Sequence, residues 1–469
     1  LWARRARSFF QQSEQYLGWV RFLTIIRGVN LALHQYPKGA FNAHWFALCN
    51  SVSFQIILGA PIILYAKSIG ASSTVLGIIA SFTPLMTVFQ LPAAQFLGRY
   101  GYKQFILMGW SLRTIFIFIV TAVPLAVFLD GTSKLAVILA SLFVFNLLRG
   151  ISSAAWMPWI TILIPEEIRG RFLSLDQMCV HMGALLALVA SAIIMTGKVE
   201  PWEYAVVFLM SAVGATLSLN FIRRIPEVAA SETVRKSSEP VPWKQILAYP
   251  PFRELLRFNV LFMAVIGSMG VFTVEYLREF PHFDVSMVLY LSGLSFIGAL
   301  VSLPFVGRLV DEAGSKPVMT GALMLFGTVI FGWFLVAAGV LPCSLWVIGM
   351  LNFFAGVAGS NFNLANVRII MATMPEMGRN HFFAMFTVIT SLGLGAAPIV
   401  WGVSLDFIGT YEAVTGAFHW RRHSIYFLAL FVLNLIALTL IRRLHETRGG
   451  EAPSLVYARL RRAGKLWHR

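Results

Sequence analysis

Between residues 42 and 442 the sequence returns repeatedly to apolar runs of about the length of a bilayer crossing, and this repetition limits the fold more than any other feature. A helix needs about 20 apolar residues to cross the hydrocarbon core, whereas a barrel strand needs about 10 of alternating polarity. The runs here are continuous, so spanning helices are expected and a barrel is excluded. Twelve fit, over 42–66, 73–97, 105–129, 135–163, 172–196, 203–223, 256–277, 285–307, 317–340, 343–373, 382–408 and 424–442. An even count places both termini on one face of the membrane.

A formal charge of +16 would suggest nucleic acid as a partner in a soluble protein, but only 12% of residues are charged and 58% are hydrophobic. The basic residues sit between the apolar runs. Loops after even-numbered spans carry Arg99 and Lys103, Arg169 and Arg171, Arg223 and Arg224, Arg308 and Lys316, and Arg379. The opposite loops hold only Lys67, Lys134, Lys198, Arg278 beside Glu279, and the exceptional pair Arg421 and Arg422. The positive-inside rule then predicts a multi-pass protein of the bacterial cytoplasmic (inner) membrane with both termini in the cytoplasm.

Residues 1–40 mix arginines with Trp2, Phe9, Phe10 and Trp19, and are expected to form a cytoplasmic interfacial amphipathic segment. A cleavable signal peptide is disfavoured because Arg21 and Arg27 break the apolar run. Residues 225–252 collect Pro226, Pro240, Pro242, Pro250 and Pro251 among polar residues, the composition of a cytoplasmic linker. It divides an N-terminal six-helix half, 41–224, from a C-terminal half, 253–443, followed by a basic cytoplasmic tail, 444–469.

Within the second half, Gly307-Arg308-Leu309-Val310-Asp311-Glu312-Ala313-Gly314-Ser315-Lys316 is short, polar and glycine-rich between two spans. Gly307 permits close helix approach, Asp311 can cap a helix end, Gly314 allows a sharp turn, and Lys316 is placed to meet headgroups. The stretch resembles the signature loop G-x-x-x-D-x-x-G-[RK]-[RK] of the major facilitator superfamily of secondary transporters at every defining position except Ser315. A fainter copy, Ala94 to Lys103, keeps Gly101 and Lys103 but has Gly98 where the aspartate belongs, at an offset of 311 − 98 = 213. Two further pairs support an internal duplication: Pro165-Glu166-Glu167-Ile168-Arg169 with Pro375-Glu376-Met377-Gly378-Arg379, and Ile222-Arg223-Arg224 with Ile441-Arg442-Arg443.

The resemblance implies an all-α polytopic membrane protein of 12 transmembrane helices, in two six-helix halves related by a pseudo-twofold axis along the membrane normal, with the solute path between them. It also implies a conformational gate drawn from Gly307, Asp311, Gly314, Lys316, Gly101, Lys103, Arg169 and Arg379. In this fold the first and fourth helices of each half line the cavity, which directs attention to spans 1, 4, 7 and 10.

On span 4, Asn146, Arg149, Ser153 and Trp156 recur at helical spacing, and on span 10 Asn352, Gly356, Gly359, Asn363 and Asn366 do the same. Arg149 lies about 24 Å of helix from Pro165, near the bilayer midplane, where a lipid-facing arginine would cost a few kcal/mol or more. The expected solute-binding set is Arg149, Asn146, Ser153, Trp156, Asn352, Asn363, Asn366 and Gln55, the structural alternative being that Arg149 bonds backbone carbonyls of a broken helix. Arg113 and Arg368 are expected to snorkel rather than contact solute. Glu275, His181 and Asp176 are the candidates for proton coupling, with an ion pair to Arg278 as the competing role for Glu275. Gly393, Gly395, Pro398 and Gly402 on span 11 suit close packing and bending.

Cys49, Cys179 and Cys343 lack metal or redox spacing, and no nucleophile–base constellation, phosphate loop or dinucleotide fingerprint is present in the sequence. No cofactor, metal or enzymatic activity is expected. The expected function is secondary active transport of a small polar or anionic organic solute by alternating access, with a coupling proton or counter-transported anion, by a protein working as a monomer in the lipid bilayer without nucleic acid. The alternative is a non-transporting assembly or lipid- or pigment-handling protein on the same fold, suggested by the degenerate first loop and an aromatic content of 14%.

Overall fold

The computed structural model describes residues 37–228, 247–373 and 379–444. The expected interfacial segment through residue 36, the centre of the linker and the tail from residue 445 lie outside them. Among the described residues twelve helices are long and apolar enough to cross a membrane: Asn42–Ser68, Ser73–Ala94, Tyr102–Leu125, Gly131–Leu163, Phe172–Ile194, Pro201–Arg224, Pro250–Glu279, Val285–Val306, Ser315–Ala337, Leu345–Met371, Phe382–Ile408 and Arg422–Arg443. They are numbered here as spans 1 to 12. Span 7 begins six residues before the expected 256, because Pro250 and Pro251 occupy the first helical turn, where a missing N–H costs nothing and φ is already helical.

The two halves repeat in their hydrogen bonds. Ser53 Oγ on span 1 meets Ser211 Oγ on span 6 at 3.0 Å, and Ser268 Oγ on span 7 meets the Tyr426 hydroxyl on span 12 at 2.8 Å. The offsets are equal, 268 − 53 = 215 and 426 − 211 = 215. With lipid tails as apolar as leucine, such buried polar pairs and close packing take over the role that hydrophobic burial has in a soluble bundle. Large apolar residues such as Phe118, Phe305 and Phe407 accordingly stand exposed on the lipid-facing surface.

The signature loops are also alike in backbone. Gly101 has φ 75° and ψ 160°, Gly314 has φ 88° and ψ 165°, and each lies between two helices at a position only glycine takes without strain. Lys316 does not simply point at headgroups: its Nζ donates to the carbonyls of Arg442 and Leu444, each at 2.9 Å, closing the end of span 12. Arg169 caps span 4 in the same manner, donating to the Thr161 carbonyl at 2.8 Å and the Ile164 carbonyl at 3.3 Å. Lys103 is half-buried. The side chains of Asp311 and Arg379, and the surroundings of Gly307, lie outside the described residues.

Gly39, just before span 1, sits against the Arg224 carbonyl and Pro226, which fixes the linker end of the molecule. At the opposite end the halves touch along spans 2 and 11: a Cβ on Gly77 would lie 2.2 Å from the Pro398 carbonyl oxygen, and one on Gly402 would lie 2.5 Å from that of Ser73. Between spans 11 and 12 a hairpin pairs Ala413–Thr415 with Phe418–Trp420, anchored by His419 N–H to the Ala338 carbonyl at 2.9 Å.

Candidate functional site

Span 1 is interrupted at Gly59, whose backbone is extended (ψ −154°) before Pro61 restarts the helix. The interruption faces an internal space of two lobes, of about 580 Å³ and about 640 Å³, which share Gln55, Leu58, Gly59, His181 and Phe296. One lobe belongs mainly to the first half and includes Asn50, Gln90, Trp110, Arg149, Ser153, Trp156 and Asp176. The other faces the second half, with Asn352, Ser292, Ser295 and Ser360 among glycines and apolar residues, and no Lys, Arg, Asp or Glu in its wall.

Arg149 is positioned by close contact of spans 2 and 4. Its neighbour Gly150 lies so near span 2 that a Cβ would stand 2.1 Å from the Met86 carbonyl oxygen. The Arg149 Nη2 donates to the Thr83 carbonyl at 3.1 Å, while Thr83 Oγ1 donates to Asn146 Oδ1 at 2.9 Å. Among the described residues one backbone hydrogen bond holds the guanidinium and leaves its Nε without a partner. Directly afterwards span 4 tightens into a 3-10 turn over Ser153–Ala155, where Gln90 Nε2 donates to Ser153 Oγ at 2.6 Å. Trp156 follows, its ring 4.9 Å from that of Phe46.

Arg113 corrects an expectation. It does not snorkel: it is 0% exposed, donates from Nη2 to Asn50 Oδ1 at 2.5 Å, and lies 4.0 Å from the Trp110 ring and 4.6 Å from that of Phe54. Trp110, Arg113, Thr114 and Ile117 form the buried stripe of span 3, a period of three and four that reveals which face turns inward. The Arg149 guanidinium lies 5.6 Å from the same Phe54 ring. Two guanidiniums thus flank one phenylalanine, and among the described residues no carboxylate lies within ion-pair distance of either.

The remaining expected site residues divide. Gln55, Ser153, Trp156, Asp176 and His181 join Arg149 in the first lobe, and Asn352 lines the second, its Nδ2 donating to the Ile348 carbonyl at 3.0 Å. Asp176 lies 3.9 Å from His44, and His181 meets Phe296 across the halves in a tilted contact, 5.9 Å between ring centres. Asn146, Asn363 and Asn366 stand outside the walls of both lobes. Asn146 is buried against Thr83 and the Leu142 carbonyl, Asn366 donates to Asn259 Oδ1 at 2.7 Å, and Asn363 is exposed. Arg368 is exposed, in keeping with a rim position.

Glu275 stands apart from the lobes and is not paired with Arg278, whose Nη1 donates to the Phe283 carbonyl at 3.0 Å. Its Oε1 accepts from Lys67 at 2.9 Å and from Ser73 Oγ at 2.7 Å, both in the first half, and from Arg422 at 3.4 Å. Glu279 takes a second bond from Lys67 at 3.1 Å and one from Arg422. Beside this cluster, Asp406 at the end of span 11 accepts from the backbone N–H groups of Ser73 and Thr74, at 3.1 and 2.8 Å, capping span 2. Hydrogen bonds between the halves among the described residues cluster here, at the end away from the linker. Sequence reasoning gave no site role to Gln90, Lys67 or Asp406; the Gly59-Ala60-Pro61 break was the visible signal for the cavity, and helix-end placement the signal for Asp406.

The chain matches the Major Facilitator Superfamily over residues 45–350 and 272–466. Over 144 residues it is 27% identical to an uncharacterized MFS-type transporter, YhjO, of Bacillus subtilis (strain 168), a match covering 30% of this chain and 34% of that protein's length. Among solved structures it resembles a D-xylose-proton symporter with a TM-score of 0.69 at 13% identity, over 88% of this chain and 99% of the other. A nucleoside transporter, NupG, gives 0.60 at 13% identity over 87% and 99%, and a POT family transporter in complex with 5-aminolevulinic acid gives 0.64 at 13% over 86% and 95%. Identities this low show the shared fold alone. With the family matched across nearly all of the described residues and twelve spans in two repeated halves, this chain is a multi-pass membrane protein belonging to the Major Facilitator Superfamily.

Proposed function

We propose that the protein is a secondary transporter that carries a small organic anion through the two-lobed cavity by alternating access. The observation that carries this reading is the pair Arg149 and Arg113 about Phe54, with no carboxylate in ion-pair distance among the described residues. A buried guanidinium is costly without a counter-charge, and a carboxylate or phosphate matches its planar donor fork in two parallel bonds. Arg149 reaches the cavity, while Arg113 adds positive potential behind Asn50. The uncharged second lobe suits the neutral body of the same solute.

The bonds among Lys67, Ser73, Glu275 and Asp406 favour a form closed at the end away from the linker, which the charge distribution assigns to the outside. Asp176 and His181 line the first lobe, which supports a role for them in exchanging a coupling proton. Asn146 acts by positioning Thr83 and span 2 rather than by touching solute. The transporter relatives favour transport over catalysis and do not favour the assembly-factor alternative. A thermal-shift screen of metabolites on the purified protein tests the reading: stabilisation is expected from organic acids, and stabilisation confined to neutral or cationic compounds overturns it.

A further inference from the structure

The cations on the face away from the linker fall into two groups. Lys67 and Arg422 are paired with Glu275 and Glu279, and Arg421 with Glu412 at 3.0 Å. Lys134, Lys198 and Arg278 have no carboxylate within ion-pair distance among the described residues, and all three line one chamber of about 690 Å³. Asp284 is the single carboxylate in its wall, and no wall residue is shared with either lobe of the solute cavity.

A second observation points to a ligand. Tyr65 lines the chamber and is 2% exposed, and its hydroxyl is buried without a hydrogen-bond partner. An unsatisfied buried donor is costly in the absence of an occupant. Tyr204, in the same wall, places its ring 4.9 Å from that of Tyr65. The chamber is built by both halves, with Tyr65, Lys134, Lys198 and Tyr204 from the first and Arg278 from the second.

We propose that this outer chamber binds a phosphate-bearing anion, distinct from the transported solute, which bridges the halves and holds the outer end closed. A phosphate group offers three or four acceptor oxygens to donors converging from several sides, where a carboxylate offers two. The room around it admits a phosphate ester or a lipid headgroup. Because residues of both halves form the chamber together, its occupant stabilises the form in which they meet.

The test uses the full chain in phosphatidylcholine nanodiscs. Inorganic phosphate is titrated at matched ionic strength, and in a second arm phosphatidylglycerol replaces part of the lipid. The readouts are melting temperature and, in sealed vesicles of the same lipid with the outer face outward, the rate at which Ser292→Cys, in the solute cavity and with the native cysteines changed to serine, reacts with an impermeant thiol reagent added outside. A saturable rise in melting temperature and slower labelling are expected with one source, identifying the occupant as a soluble phosphate or a headgroup. The response should weaken about tenfold in Lys134→Gln/Lys198→Gln, at half-buried and exposed side chains, and in Lys198→Gln alone should weaken in the same direction. No response to either source, or an undiminished response in these variants, overturns the proposal.

Discussion

Lys67 on span 1 and Glu275 on span 7 meet at 2.9 Å across the boundary between the halves, with the Glu275 side chain fully buried and Ser73 and Arg422 on the same oxygen. The contact is the most buried charge pair linking the halves among the described residues, and under the proposed alternating access its position away from the linker would make it a latch for one access state. Removing the carboxylate charge should release that latch. With Glu275→Gln, labelling of Ser292→Cys from the outer side should rise about tenfold, equivalent to about 1.4 kcal/mol of population shift. Unchanged labelling would show that spans 2 and 11 close this end without the ion pair.

Gly150 is expected to be intolerant of a side chain although it touches no solute. A Cβ there meets the Met86 carbonyl at 2.1 Å, and the neighbouring helix can yield only by moving the Thr83 carbonyl that holds Arg149. Gly150→Ala should cost about 1–3 kcal/mol of stability and weaken solute binding together. The measurements are melting temperature and solute titration of the same preparation, and a variant with normal values in both would separate Arg149 from this packing contact.

Arg113 and Arg149 should respond differently to substitution. Arg113 is enclosed by Trp110, Phe54 and Phe145 and bonded to Asn50, so Arg113→Met should alter both folding stability and affinity. Arg149 stands at the cavity wall on a single hydrogen bond, so Arg149→Lys should lower affinity with little change in melting temperature. Chemical denaturation and solute titration distinguish the two, and an equal loss of stability in both would assign Arg149 a structural role.

Topology gives an independent check. Cysteines at Ser237 and Ser454, in the linker and tail, should be shielded from an impermeant thiol reagent in intact cells if the positive-inside rule sets the orientation. Labelling of either from outside would reverse the orientation and with it the assignment of the Glu275 latch to the outer face.

What was legible in the sequence was local. Apolar length located the spans, and Gly101 and Gly314 were readable as turns because a positive φ favours glycine whatever surrounds it. The fate of long polar side chains was not legible, since it depends on which helix lies opposite. Glu275 is four residues beyond Val271 in the cavity wall, yet its partners Lys67 and Arg422 are 208 and 147 residues away. Asn146 shares a helical face with Arg149, but span 2 covers it with Thr83 and leaves Arg149 at the cavity. For Arg113 the expectation of snorkelling could not foresee the Phe54 and Phe145 rings that enclose it, which come from spans 1 and 4.

In the proposed function Arg149 recognises an anionic solute that crosses between the halves. The most direct measurement is uptake into proteoliposomes of a labelled organic acid taken from the metabolite screen, compared between the wild type, Arg149→Lys and Arg368→Lys. Saturable uptake is expected in the wild type and in Arg368→Lys. In Arg149→Lys the affinity should fall by about 1–3 kcal/mol, roughly 5- to 150-fold, while the protein remains folded and inserted. Undiminished uptake by Arg149→Lys, or saturable uptake only of neutral or cationic solutes by the wild type, would contradict it.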